Sequence, residues 1–364
     1  MLTAEADHCC LCMSSSSHPP KIEIDTVSDD VCTAFSFGII GDTQYVDADD
    51  GTTFDGKTVR RYRQSLWSLK EACNSFEDSG VICCILLGDI VDAKCAHLGI
   101  AEQCLREILN IVKESHLIWH YCIGNHDLLC FTRKELHQKL IPRIVQNFSK
   151  SSQLYYELCP YQGYRFIFLD GYEISTIGAS SDENAHKAER LLQSKNANLA
   201  IPGGGWFEGL SPMDQKYVPF NGGLTDEQLA WFDNVLQLSS EMGERCFVFS
   251  HMPCYFPCCR PSGIMWSSEE VLHIMHKRPG TVAAFFAGHD HDGGYAMDSM
   301  GIHHIVPPSP LECGVGEPAH GHVTVHNSSQ NSQSFFELHW TGRIPDSTPT
   351  SLWPSRMHYF TGVK

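Results

Sequence analysis

Five short polar blocks, each at the end of an apolar run, recur in fixed order along the chain: Gly41-Asp42-Thr43-Gln44, Gly88-Asp89-Ile90-Val91-Asp92, Gly124-Asn125-His126-Asp127, Ser250-His251 and Gly288-His289-Asp290-His291. Their carboxylates, amides and imidazoles are enough to hold two divalent metal ions. A pair of ions polarises phosphoryl oxygens and acidifies a water, so the inventory implies metal-dependent hydrolysis of phosphate esters or anhydrides. Asp89 is the bridging candidate. Asp42 and His291 would complete one ion, and Asn125, His251 and His289 the other. A His-x-His pair presents both imidazoles on one side of an extended segment, so His289 and His291 can reach neighbouring ions. A lone Asp after a strand is most often a turn or cap residue. Five such blocks in series are not explained that way.

Donors spread over so much chain meet only if several strands end at one edge. The run Ala34 to Ile40 predicts a buried strand that delivers Asp42. Apolar positions Val59, Tyr62, Leu66 and Leu69 predict a helix over 58–78, with Gly80 just beyond it. Strands are expected over 81–87 and 117–123, ending at Asp89 and Asn125, with a helix near 96–113 between them. Strand alternating with helix indicates crossover units in a largely parallel sheet, where ligands gather beyond the carboxyl ends of the strands. Further strands are expected around Tyr155-Tyr156, at 164–170, 246–249 and 282–287, with helices opening at Thr225 and Ser267. Candidate strands at 302–306, 321–326 and 334–340 read as antiparallel and as closing a second sheet. Residues 176–223 are rich in Gly, Pro and polar residues, and a substrate-facing insertion is placed near 150–224. Residues 1–30, with His8, Cys9, Cys10 and Cys12, read as a disordered tail, 31–345 as one domain, and 346–364 as a C-terminal tail.

Composition narrows the partners. At 364 residues and 42% apolar, the chain can bury a large core. Twenty-six basic against 43 acidic residues leave a formal charge of −17, which disfavours nucleic acid and anionic membranes. No stretch of about 18 apolar residues occurs, and the start lacks a cationic, apolar leader, so the expectation is a cytoplasmic protein. The 17 cysteines lie in apolar runs or irregular segments, without the spacing of a disulfide framework, and are expected to be reduced. Heptads are absent, so a monomer is expected.

The blocks resemble the calcineurin-like metallophosphoesterase superfamily, whose pattern is Asp-x-His, Gly-Asp-x-x-Asp, Gly-Asn-His-Asp/Glu, a lone His after a strand and Gly-His-x-His. Here Asp42-Thr43-Gln44 replaces Asp-x-His. That glutamine, Phe35-Ser36-Phe37-Gly38, Phe220-Asn221-Gly222-Gly223 and the run Gly288 to Tyr295 resemble a manganese-dependent branch acting on ADP-ribose and CDP-alcohols. The resemblance implies an α/β fold, a four-layer αββα sandwich with a dinuclear site at one edge. It also implies a metal-bridging hydroxide attacking one phosphorus in line, with His126 contacting the phosphate and protonating the departing oxygen. Asp127 would orient that imidazole. The cofactor it implies is two divalent ions, Mn2+ preferred and Mg2+ possible, and the partners are small nucleotide diphosphates. Asp92 would cap the following helix or fix its loop.

Gln44 offers a hard, uncharged oxygen in place of an imidazole, which favours Mn2+ or Mg2+ over Zn2+; the alternative is that it only hydrogen-bonds a ligand. Substrate contacts are expected from Phe37, Phe220 and Asn221, and Tyr155, Trp206 and Trp266 are further rings able to stack on a base. Asp92 is followed by Ala93-Lys94 and not by Arg-Gly, which argues against a protein phosphatase. The alternatives are a cyclic-nucleotide phosphodiesterase and a metal-free binding scaffold.

Overall fold

A computed structural model of the chain describes residues 31–53, 55–141, 153–202, 205–328, 333–344, 354 and 356–360. Sheet one holds β1 (Val31–Ile40), β2 (Cys83–Leu86), β3 (Trp119–Tyr121), and three strands from the far end of the chain. Sheet two holds β4 (Tyr156–Tyr161), β5 (Tyr164–Leu169), β6 (Arg245–Ser250), β7 (Val282–Phe286), β8 (Gly294–Met297) and β9 (His303–Val306). Sheet one is completed by β10 (Ala319–Ser328), β11 (Gln333–Gly342) and β12 (Arg356–Phe360). The strand orders are β12-β11-β10-β1-β2-β3 and β8-β9-β7-β6-β5-β4. β1, β2 and β3 run parallel, as do β5, β6, β7 and β9. The strands that carry the blocks therefore point the same way within each sheet.

The two sheets pack face to face through aromatic rings. Phe37 of β1 meets Phe166, Phe247, Phe249 and Phe286 of sheet two at ring-centroid distances of 4.9 to 6.0 Å, mostly edge to face. Helices cover the outer faces. On sheet one, α1 (Tyr62–Asp78) sets Phe76 against the backbone of Gly38, where any Cβ would sit 2.7 Å from the ring, and against Trp119 of β3. Next to α1 lies α3 (Ala101–Glu114), against which the short α2 (Lys94–Leu98) packs. The single helix expected near 96–113 is broken because Gly99 turns left-handed, with φ 69°. The short α4 (Asn125–Cys130) and α5 (Arg133–Leu140) follow β3.

The range proposed as an insertion, 150–224, splits in two. Its first part supplies β4 and β5 to sheet two; the rest carries α6 (Asp182–Lys195), which starts where Ser181 Oγ accepts the Asn184 N–H at 3.2 Å. Only Ala188 and Leu192 of α6 are buried, too thin an apolar stripe to reveal a helix by periodicity. Then come α7 (Asp226–Met242) and α8 (Ser268–His276), which pack together, α7 against β6.

The three strands expected to close the second sheet do not stay together. β9 joins sheet two, parallel to β7, but β10 crosses back to pair antiparallel with β1, and β11 with β10. Within the stretch read as a C-terminal tail, β12 pairs with β11 and buries Met357 and Tyr359 on alternate positions. Residues 1–30, including the cysteine-rich start, lie outside the described residues.

Candidate metal centre

Each block sits just past the carboxyl end of its strand: Asp42 after β1, Asp89 after β2, Asn125 opening α4 after β3, His251 after β6, His289 and His291 after β7. The loops after β1 and β2 go on pairing, with Gln44 N–H donating to the Asp89 carbonyl at 2.8 Å and Tyr45 N–H to that of Ile90 at 3.1 Å. That continuation sets Gln44 beside Asp89. Backbone freedom is needed where the loops converge. A Cβ on Gly124 would lie 2.0 Å from Asp89 Oδ1, and one on Gly288 2.4 Å from Asp42 Oδ2. Gln44, Asp89 and His289 themselves take left-handed φ values of 39°, 48° and 68°, costly conformations that concentrate where function needs them.

The side chains meet in a buried cluster. One ligand atom each from Asp89, His251 and His289 lies within 4.8 Å of the others, and this is the one such group of three His, Cys, Asp or Glu among the described residues. His251 Nε2 stands 3.5 Å from Asp89 Oδ2 and 3.2 Å from His289 Nδ1. His291 Nε2 lies 3.8 Å from Asp42 Oδ1 and 3.1 Å from Gln44 Nε2, which also donates to Asp89 Oδ2 at 2.8 Å. Asn125 Oδ1 accepts from the Tyr172 hydroxyl at 3.2 Å. Asp42 accepts the His289 N–H and Asp89 the His126 N–H, so backbone amides hold both carboxylates in place.

Burial pushes the Asp89 carboxyl up, but the imidazoles of His251 and His126 more than offset it and hold the group well below the usual range. At His251 burial lowers the pKa, and the Asp89 charge overrides it and lifts the imidazole to about 9. Burial raises Asp42 and drives His289 well below its ordinary value, with the neighbouring His251 adding to the second shift. A site that draws a proton onto His251 in this way and keeps His289 neutral binds cations in competition with that proton. The donor set fits hard divalent ions: carboxylate, amide and imidazole groups, and a Gln44 Oε1 that is buried with no hydrogen-bond partner among the described residues.

Supporting contacts fix the imidazoles. His251 Nδ1 lies 2.8 Å from the Leu87 carbonyl and His291 Nδ1 2.7 Å from Glu312 Oε1, which also receives Arg60 Nε at 3.0 Å. Glu312 belongs to none of the five blocks, and no spacing rule points to it.

Three expected roles change. Asp127 does not reach His126: its carboxylate accepts from the N–H groups of Ile90, Val91 and Gly124 at 2.8 to 3.3 Å and ties the loop after β2 to the start of α4. Burial, and then the Asp89 charge, push that carboxyl up to about 7. The carboxylate beside the imidazole is Asp92, with Oδ2 3.2 Å from His126 Nδ1, and its Oδ1 also accepts the Lys94 N–H at 2.8 Å. Phe37 is fully buried between the sheets and cannot touch a substrate. Asn221 is also fully buried, with its amide turned inward to His289 Nε2 at 2.8 Å and to three carbonyls.

Phe220 differs. Its half-buried ring lies 5.8 Å from that of His289 and stacks at 6.0 Å on Trp206, which is 42% exposed. Tyr155 and Trp266 are buried, the latter donating to the Lys216 carbonyl.

Residues 35–293 match the calcineurin-like phosphoesterase family. The manganese-dependent ADP-ribose/CDP-alcohol diphosphatase of Homo sapiens is 32% identical over 88% of this chain and 94% of its own length. Its namesake from Arabidopsis thaliana is 34% identical over 81% and 92%. The crystal structure of a dimetal phosphatase from Danio rerio superposes with a TM-score of 0.78 at 28% identity, covering 91% of this chain and 100% of that one. The shared profile spans all five blocks, the matches run nearly end to end, and the sheets agree: the chain belongs to the calcineurin-like phosphoesterase family, among the relatives that bear the name manganese-dependent ADP-ribose/CDP-alcohol diphosphatase.

Proposed function

We propose that this chain hydrolyses the diphosphate bond of small nucleotide diphosphates of the ADP-ribose and CDP-alcohol type, releasing a nucleoside monophosphate and a phosphorylated sugar or alcohol, with Mn2+ preferred over Mg2+. The observation that carries this reading is the buried donor cluster of Asp89, His251 and His289, with the stacked rings of Phe220 and Trp206 beside His289. Asp42, Gln44, Asp89, Asn125, His251, His289 and His291 would hold two divalent ions. Such ions supply an acidified water and positive charge against the phosphoryl oxygens.

The chain's own groups do the rest. His126 turns Nε2 toward the centre, 3.9 Å from Asp89 Oδ2, while Nδ1 faces the Ala93 N–H at 2.9 Å and Asp92 Oδ2 at 3.2 Å. When neutral, the imidazole accepts that amide at Nδ1 and keeps its proton on Nε2; when charged, it donates from Nδ1 to Asp92. Either way the atom facing the centre carries a proton for the departing oxygen. Phe220 and Trp206 offer a nucleobase a flat apolar face beside His289.

We place the enzyme in the cytoplasm as a monomer. The 14 described cysteines are free thiols, which suits a reducing compartment, and no described helix is long and apolar enough to cross a membrane. The test is a panel of ADP-ribose, CDP-choline, CDP-ethanolamine, CDP-glycerol, cyclic AMP and phosphomonoesters, run with Mn2+ and Mg2+ in parallel and products identified. Nucleoside monophosphate from the diphosphates, faster with Mn2+, is expected. Preference for phosphomonoesters or cyclic AMP sinks the reading.

A further inference from the structure

Asn221 is expected from sequence to contact substrate, yet its amide is spent inside the protein. Its Nδ2 lies 2.9 Å from the Lys216 carbonyl, 2.7 Å from that of Ser262 and 3.1 Å from that of Ile264. Carbonyls only accept, so the end of the amide that meets three of them is the NH2 group, and the end that meets His289 is the oxygen. An oxygen 2.8 Å from His289 Nε2 requires a proton on that nitrogen. Neutral His289 is therefore held as the Nε2–H tautomer, and its lone pair is on Nδ1.

Nδ1 is the atom that faces the cluster, 3.2 Å from His251 Nε2. When neutral, His251 is fixed in a complementary way, since the Leu87 carbonyl at 2.8 Å takes the proton on Nδ1 and leaves the lone pair on Nε2. Two imidazole lone pairs aimed at each other repel unless a cation lies between them or a proton is taken up. The two tautomers thus build a nitrogen pair directed at one ion.

We propose that Asn221 is a positioning residue for the metal centre and not a substrate contact: it fixes the tautomer and ring angle of His289. The support beneath it is stiff. The Lys216 carbonyl that receives Asn221 also receives Trp266 Nε1 at 2.9 Å, and the buried Lys216 ammonium is bound to Ser268 Oγ at 2.9 Å and to the Glu269 carboxylate at the start of α8. Phe220, the ring beside the centre, is the preceding residue. One short segment therefore holds a metal ligand from behind and lines the substrate approach in front.

The inference rests on the metal-centre reading above, and the experiment separates the two. Mn2+ affinity is measured by titration calorimetry on wild type and Asn221→Leu, with substrate KM at saturating Mn2+. Wild type should bind Mn2+ and Asn221→Leu should bind it on the order of 10- to 100-fold more weakly, with KM unmoved. Equal affinity in the two proteins overturns the role of Asn221 alone, as does a raised KM with unchanged affinity. A wild type that binds no Mn2+ overturns both readings. If Asn221→Leu does not fold, imidazole 1H–15N spectra of the metal-free wild type decide, with His289→Gln assigning the signal. A proton on Nε2 upholds the proposal, and one on Nδ1 overturns it.

Discussion

At the scale of single residues, His126 has the clearest division between its two nitrogens. Nδ1 is enclosed by Ala93 N–H and Asp92, and Nε2 looks into the centre. If that proton serves the leaving oxygen, His126→Ala lowers kcat by about 10²- to 10⁴-fold on a sugar or alkyl diphosphate. On an aryl phosphodiester, whose leaving group needs no proton, the loss should be far smaller. A series of leaving groups read against kcat checks this, and an equal loss across the series removes His126 as the acid. The blocks themselves were legible because a ligand needs the same residue types wherever a strand ends. Asp92 caps the loop into α2 as expected, through the Lys94 N–H, but its contact with His126 and the roles of Glu312 and Asn221 were not legible. What each does depends on a ring it touches across the fold, His126, His291 and His289, and chain spacing carries no trace of such contacts.

Among the elements, strand ends and the glycines beside them set the geometry. Gly124 lies so close to Asp89 that Gly124→Ala must displace either backbone or carboxylate. It should cost about 1–3 kcal/mol, as overpacking does elsewhere, and weaken Mn2+ binding as well. Gly80→Ala, at φ 61° with open space around it, is the control: strain should lower stability and leave Mn2+ affinity intact. Denaturant midpoints and metal titrations on the two variants distinguish them, and equal metal affinities would mean that the close approach is not what holds Asp89. Parallel strands β1, β2, β3, β6 and β7 could be read from their apolar runs. The partners of β10 and β11 could not, because alternation states which face is buried and not which sheet receives it. α6 escaped notice for want of a stripe, although Ser181 and the acids after it were a usable start signal.

For the molecule as a whole, acid stability follows from histidines buried without charge. Burial holds both His120 and His320 down to about 4, and neither ring nitrogen of His320 has a partner among the described residues. Unfolded histidine titrates near 6.5, so between about pH 6.5 and 4 the unfolded chain binds the protons that the folded chain refuses. Stability contributed by these neutral rings is complete above that window and is lost as pH falls through it. Urea midpoints should decline across the window, and His320→Phe, whose ring would keep the edge contact with Phe76, should flatten the decline. A wild-type midpoint flat over the window counts against the prediction.

The return of β10 to β1 has a consequence for how the protein is made. Val31 pairs with Ser328 and Ile39 with Gly321, so during synthesis β1 emerges with one flank bare until nearly the whole chain has left the ribosome. Asp42, Asp89 and Asn125 come from the half that waits, and His251, His289 and His291 from the half that arrives later. A nascent chain stalled before residue 319 would carry every metal donor of the centre and still present an open strand edge, a form exposed to chaperones and to aggregation and not yet a finished enzyme.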